Sequence, residues 1–594
     1  MDNSVLGNQD NSQVSQERHE IKNVNSQYVS TTYDSFLDFI EKSENRVTNS
    51  VYPNDKTDAE NPEERFSSVS VSILDDALAV LPSDKEVLFQ MDVFLRICET
   101  NFFFVYPKKI MKEVIRFLAM RKNRDTSKLM KNWTFVASLL SMLSVSSGFD
   151  YIIDDSRTEA ISSLTDSTSH PGYKYYKAAL PFVGMLMNII TTESIQTLLL
   201  LGLYMTTNKF NDHSKIIDQG YMFINLAVDF AVQSKLHLKD TFKDEPADIR
   251  EFQKRLWWSC YVLERLLGIN VERSGVIKRE QITVELPQDI IELRQLNGRT
   301  NHEHQTALIK LTFILIEISN LSLRKNNNYA NKEGQVTLES SIIRDILLKL
   351  EIWKDSLPKS CNSTLNPDDD QYRANNHLKL NYFLAKIYLG KPFLAYKIEN
   401  FEEMKNSNGT EDNFVDRLAS ICIDAAFSVL DVLSSLEKNR KLGVYSRSDL
   451  NFCNLSLFVI ITFLKIDRSS STLVFLKKGF KILRILSKGS FSARTNLSRL
   501  ERLKFLTNIL DQIDSKDVED HPEMWRVDKS LVFPESNYFD NADFQLKQDE
   551  ESLKFTWNLI PENFYLDNFE SIPMDELDYV DTLFENLVDK HTFN

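Results

Sequence analysis

Two acidic runs, Asp154-Asp155 and Asp368-Asp369-Asp370, carry the hard oxygen ligands that magnesium prefers. Both lie in polar stretches, and solvated turns account for them without a metal. His302 and His304 have a spacing that could start a metal site, yet no cysteine or third histidine is near in sequence, so they read as surface residues of a charged loop. His237 falls at a helix end, where an imidazole can bond the last carbonyls. Cys98, Cys260, Cys361, Cys422 and Cys453 are scattered with no paired spacing, which excludes a zinc ribbon and a disulfide framework and leaves reduced, mostly buried thiols. The phosphate-binding glycine loop, the dinucleotide fingerprint, the zinc-protease motif and the hydrolase nucleophile elbow are all missing. The residues therefore predict no enzyme, no metal and no cofactor.

The elements that would position these side chains are helical. From Trp133 to Val145, Tyr173 to Ile190, Ser194 to Thr207, Gly220 to Leu236 and Ile249 to Gly268, apolar residues recur every three or four positions. The pattern continues at Thr306 to Leu323, Thr337 to Trp353, His377 to Tyr388, Phe414 to Leu436, Leu450 to Phe463, Leu473 to Leu486 and Ala493 to Ile513. Ser83 after Pro82 predicts a capped helix start, and the block Phe102-Phe103-Phe104-Val105-Tyr106-Pro107 should end that helix as core. With only 15 glycines and 15 prolines in 594 residues, an all-α fold is expected. No fixed repeat period points to a solenoid.

Composition sets limits on partners. A formal charge of −15 repels a phosphate backbone, so direct DNA contact by this chain is not expected. The polar, acidic start lacks the pattern of a secretory signal, which predicts an intracellular protein. The most apolar run, Leu198 to Met205, is far short of the roughly 20 residues a bilayer span needs, so no membrane span is expected. The chain divides into a polar, mostly disordered segment (1–68), a first helical part (69–358), a polar linker (359–375), a second helical part packing on the first (376–515) and an acidic-aromatic tail (516–594).

The most distinctive stretch is Leu256-Trp257-Trp258-Ser259-Cys260-Tyr261-Val262-Leu263-Glu264-Arg265. Trp257 and Tyr261 lie four apart and share a helix face, as do Trp258 and Val262, so the indoles serve as core anchors for two neighbouring helices. Arg255 and Arg265, with Glu251 and Glu264, read as solvated or partly buried ion pairs.

In order along the chain come Gln196 to Tyr204, a helix ending at Leu236-His237, the tryptophan helix with Arg255, a segment closing at Pro287, Trp353 to Pro358, Gly390-Lys391-Pro392-Phe393-Leu394 and Cys422 to Ala426. This ordered set resembles the regulatory domain of fungal zinc-cluster transcription factors, over roughly Leu81 to Leu510. Three departures stand out. Lys235 sits where the family usually has glycine, Glu264 replaces an aspartate, and Val271-Glu272-Arg273-Ser274 stands where Gly-Arg-Pro is usual. The resemblance implies a nuclear transcriptional regulator. The family's cysteine cluster is not among these residues, so DNA targeting, and any zinc, would come from a module upstream or from a homo- or heterodimer partner that binds DNA.

In the tail, Phe564, Tyr565, Phe569, Leu577, Val580, Leu583, Phe584 and Leu587 alternate with acids. That composition reads as an activation region for coactivators or mediator-type complexes, with Leu577, Val580, Phe584 and Leu587 on one face of a helix formed on binding. The alternative is that the tail folds back onto the body. A second functional reading, a helical scaffold or inhibitor without promoter binding, uses the same parts.

Overall fold

The computed structural model describes residues 72–502, apart from 99–100, 124–128, 130, 158–169, 208–218, 271–272, 274, 296, 326–332, 363–365, 368 and 400–412. The polar N-terminal segment and the acidic-aromatic tail, including Phe564 to Leu587, lie outside the described residues. Among the described residues there are helices and turns and no strand.

The first half contains α1 (Asp84–Val93), α2 (Pro107–Lys122), α3 (Trp133–Ser146), α4 (Tyr173–Ala179), α5 (Pro181–Leu186), α6 (Thr192–Thr207), α7 (Gln219–Gln233), α8 (Ala247–Asn270), α9 (His302–Lys325) and α10 (Glu333–Asp355). The second contains α11 (Lys359–Asn362), α12 (Gln371–Glu399), α13 (Asn413–Lys438), α14 (Arg447–Phe463), α15 (Ser470–Leu486) and α16 (Phe491–Arg502). Ser83 caps α1 as its sequence position predicts, its hydroxyl accepting from the Glu86 amide at 3.4 Å.

Packing proceeds in chain order, with α6 against α3 and α7, α8 between α7 and α9, and α12 against α9, α13 and α14. Two contacts depend on glycine. A Cβ on Gly202 would lie 2.7 Å from the Gly220 carbonyl oxygen, and one on Gly390 would lie 2.5 Å from the Leu418 oxygen, so α6–α7 and α12–α13 approach backbone to backbone. One hydrophobic core runs from Leu74 to Leu500 through both halves. A smaller cluster of Ile97, Tyr151, Ile152, Val444 and Tyr445 ties the turn after α3 to the one before α14.

Several expectations are corrected. The aromatic block does not end α1: the helix passes into a π-turn at Phe94–Cys98, and Pro107 opens α2, where its missing amide costs nothing. The predicted helix Tyr173 to Ile190 breaks at Leu180-Pro181 into α4 and α5. His377 to Tyr388 is only the middle of α12, which continues through Pro392. The polar stretch around Asp154-Asp155, read as a solvated turn, holds short 3-10 turns at Asp150–Ile152 and Asp155–Arg157, with Tyr151 and Ile152 buried. One described helix, Phe414–Lys438 in α13, is long and apolar enough by composition to cross a membrane, contrary to the expectation of none. In this fold α13 is packed against α12, α14 and α15.

Candidate functional site

The tryptophan helix α8 is the hub of the first half. Trp257 is fully buried, with its ring 6.1 Å from Tyr261 and 5.5 Å from His237. Trp258 packs edge-on to Phe313 of α9, and its Nε1 donates to the Glu285 carbonyl at 2.8 Å. That bond anchors an extended strap over residues 282–290. The strap is held again by the Thr283 and Val284 amides, both donating to the His237 carbonyl, and by the Gln288 amide on Glu251 Oε1 at 2.7 Å, next to buried Pro287. His237 therefore works through its backbone oxygen. The expected imidazole cap is not formed, since Nδ1 is buried with no hydrogen-bond partner among the described residues.

Glu251, Arg255, Glu264 and Arg265 of α8 are buried, at the buried end of the solvated or partly buried ion pairs expected. Arg255 donates to Gln305 Oε1 at 3.1 Å and to Asn301 Oδ1, and its guanidinium lies over the Phe103 ring. Arg265 pairs with Glu264, which also accepts from Tyr221 at 2.9 Å. These side chains meet partners that periodicity cannot reveal, because Asn301, Gln305 and Tyr221 come from other helices or turns.

The histidines and acids singled out for metal chemistry have other uses. His302 and His304 open α9 rather than sitting in a surface loop, and His304 is buried with Nε2 2.6 Å from Asn375 Oδ1. Asp369 and Asp370 are half-buried and ion-paired: Arg299 reaches Asp369 at 2.8 Å and Arg96 reaches Asp370 at 2.8 Å, stitching α12's start to the first half. Asp154 binds Arg157, which continues to Glu86 and Asp150. Among the described residues no group of three or more His, Cys, Asp or Glu could hold a metal.

The remaining motif residues are structural joints. Gln196 donates to the Phe104 carbonyl at 2.8 Å, and Tyr204 donates to the Pro171 carbonyl at 2.9 Å while stacking on Tyr176. Trp353 donates to the Ala307 carbonyl and stacks on Tyr382. Pro358 begins α11 by accepting from the Cys361 amide, and Lys391 lies over the Phe458 ring. The motif residues are not brought to one spot.

What the fold does bring together, where α3, α6, α8, α12 and α14 meet, is a cavity of about 180 Å³. Leu203, Leu263, Leu267 and Phe452 line it, with Asn101, Tyr445 and Arg373 among its polar groups. Of the motif residues only Tyr204 reaches its wall. Behind the wall, Arg373 of α12 meets Asp449 of α14 in a two-pronged pair at 3.0 and 3.2 Å. Burial alone would raise the Asp449 carboxyl, but Arg373 and the hydrogen bonds around it hold it well below the usual carboxylate range. Burial, with Arg373 close by, lowers His377, so its imidazole stays neutral. Sequence reasoning missed this cluster. Its only local signal is Ser446 three residues before Asp449, a capping pair whose hydroxyl accepts from the Asp449 amide.

The fold and its buried joints thus define an all-helical body without a catalytic constellation among the described residues. Residues 91–355 match the fungal specific transcription factor domain. An uncharacterized transcriptional regulatory protein of Schizosaccharomyces pombe is 24% identical over 437 residues, covering 73% of this chain and 51% of its own. The thiamine repressible genes regulatory protein of the same yeast is 23% identical over 444 residues, 74% of this chain and 53% of its own. A protein of Saccharomyces cerevisiae named Activator of stress genes 1 is 27% identical over 236 residues, 39% of this chain and 24% of its own. The chain thus spans about half the length of the first two relatives. The domain match is narrower than the expected Leu81 to Leu510, ending before Pro358 and Lys391. The family and these relatives are transcriptional regulators, not enzymes. No solved structure matches the chain.

Proposed function

We propose that this chain is a nuclear transcriptional regulator that works as an activator, with a helical regulatory body and an acidic tail that engages coactivators or mediator-type complexes. The observation that carries the reading is the match of residues 91–355 to the fungal specific transcription factor domain. One relative is itself named an activator, which favours that sign of regulation. The charge of −15 favours indirect DNA contact, through an upstream module or through a homo- or heterodimer partner. In this reading zinc enters only with a cysteine cluster outside these residues, and the chain itself holds no cofactor and contacts no membrane. Leu577, Val580, Phe584 and Leu587 form the apolar face that docks, while the surrounding acids keep the segment solvated before binding.

Chromatin immunoprecipitation of the tagged chain tests the role. Enrichment at discrete promoters is expected, and a profile no different from an untagged strain would contradict it.

A further inference from the structure

We propose that the basic face formed by α15 and α16 is a docking surface for the acidic-aromatic tail of this same chain, through the acids of residues 562–589. The inference concerns where the tail rests on the body, and it stands whether or not the chain regulates transcription.

Helical spacing builds the face. α15 turns Leu476, Phe480 and Leu483 into the core, while Lys477, Lys481 and Arg484, four and three residues apart, stand together on a side that is exposed to water. α16 lies alongside. Its exposed Arg494 donates to the Ser487 carbonyl at 3.2 Å, and its Glu501, next to exposed Arg502, meets Arg484 at 3.5 Å. Lys488, in the turn between the two helices, is exposed as well. Glu501, and Glu437 of α13 at 3.0 Å from Lys481, offset part of the charge, yet Lys481 and Arg484 keep 64% and 55% of their side-chain surface in water. Residues 465–502 hold ten Lys and Arg against two Asp and Glu, so the net charge of −15 is unevenly spread along the chain.

Charge and tether select the occupant. Residues 516–594 hold twenty Asp and Glu against six Lys and Arg, and 562–589 hold nine acids with no Lys or Arg. The described residues end on this face at Arg502, and 59 residues separate it from Glu562. A random coil of that length spans about 40 Å, so tethering presents the acids to the face at an effective concentration on the order of millimolar. Ion pairs that are weak one by one are then occupied together. They form at the surface, so the segment stays solvated while it is docked. A phosphate backbone would also suit these cations, but it must compete with acids carried on the same chain.

Carbodiimide cross-linking of the full chain, which joins lysine amines to carboxyls in contact, tests this by peptide mapping of the monomer band. Links from Lys477, Lys481 or Lys488 to acids in 562–589 are expected at about 20 mM salt and should be lost at about 500 mM, as the screening length falls from about 20 Å to about 4 Å. Lys109 and Lys112 of α2, also exposed, should give no such links. The combined variant Asp575→Asn, Glu576→Gln, Asp578→Asn and Asp581→Asn leaves the helical body untouched and five reactive acids in the segment, and it should lose most of the links. A DNA duplex of arbitrary sequence should leave the native links in place. The proposal is overturned if the tail acids link to Lys109 and Lys112 as often as to the α15 lysines, if the links persist at high salt or in the variant, if they join only separate chains, or if the duplex removes them, which would assign the face to nucleic acid.

Discussion

Arg373 and Asp449 face each other at 3.0 Å, almost wholly removed from water, and join two helices of the second half across 76 residues of chain. Asp449 also accepts from the Gly443 amide at 2.7 Å, so the same carboxylate shapes the turn that carries Tyr445. Removing one member of a buried pair leaves an uncompensated charge, and Asp449→Ala should cost about 3–5 kcal/mol. Replacing both, with Arg373→Met and Asp449→Leu, should recover most of that. Urea unfolding midpoints check it, and a single mutant as stable as the native chain would refute the role.

Acid should weaken the fold through its buried histidines. Burial pushes His170 down to about 4, whereas an unfolded histidine titrates near 6.5. Between those values the unfolded chain takes up the proton and the folded chain does not, so stability falls as pH drops from about 6.5 toward 4, by about 2 kcal/mol at pH 5. His302, His304 and His377 are lowered by burial too and act in the same direction. Asp449 is depressed, so its contribution is present above about 3.8 and lost only below that. Melting temperature against pH should slope steeply from 7 to 5, and His170→Phe should flatten the slope.

Lys235 adopts a left-handed backbone with φ of +56°, just past the end of α7, with the Leu236 amide donating back to the Ala231 carbonyl at 3.0 Å. Glycine suits that position because it has no Cβ to strain. Lys235→Gly should therefore stabilise the chain by about 1 kcal/mol, read as a rise in the unfolding midpoint. A fall would show that the lysine side chain contributes more than its backbone costs.

The strap over 282–290 is pinned at its middle by one indole. Trp258→Phe keeps the ring packing on Phe313 but loses the bond to the Glu285 carbonyl, and should cost about 1–2 kcal/mol. Hydrogen exchange should accelerate at Thr283, Val284 and Gln288 with little change in α12. Unaltered exchange there would mean that the His237 and Glu251 contacts hold the strap alone.

Much of the helical order was legible because apolar spacing is a local property. Trp133–Ser146 and Arg447–Phe463 lie within a few residues of the spans read from periodicity. Pro107 was misread because proline stops one helix and starts another with equal ease, and only the chain's path decides. His304 looked exposed because its neighbours in sequence are polar, while the Asn375 that pairs with it, like the Asn301 and Gln305 that meet Arg255, is contributed by the fold. The cavity was invisible for the same reason. Asn101 and Tyr445 both line it although more than half the chain separates them.

The central claim is that the acidic tail activates transcription in the context of this body. The most direct measurement tethers the full chain to a reporter promoter through a neutral DNA-binding domain and compares it with Leu577→Ala, Val580→Ala, Phe584→Ala and Leu587→Ala combined. The native chain should raise reporter output well above the tether alone, and the fourfold variant should return it to background at equal protein level. Output that is absent in the native chain, or unchanged in the variant, would contradict the account.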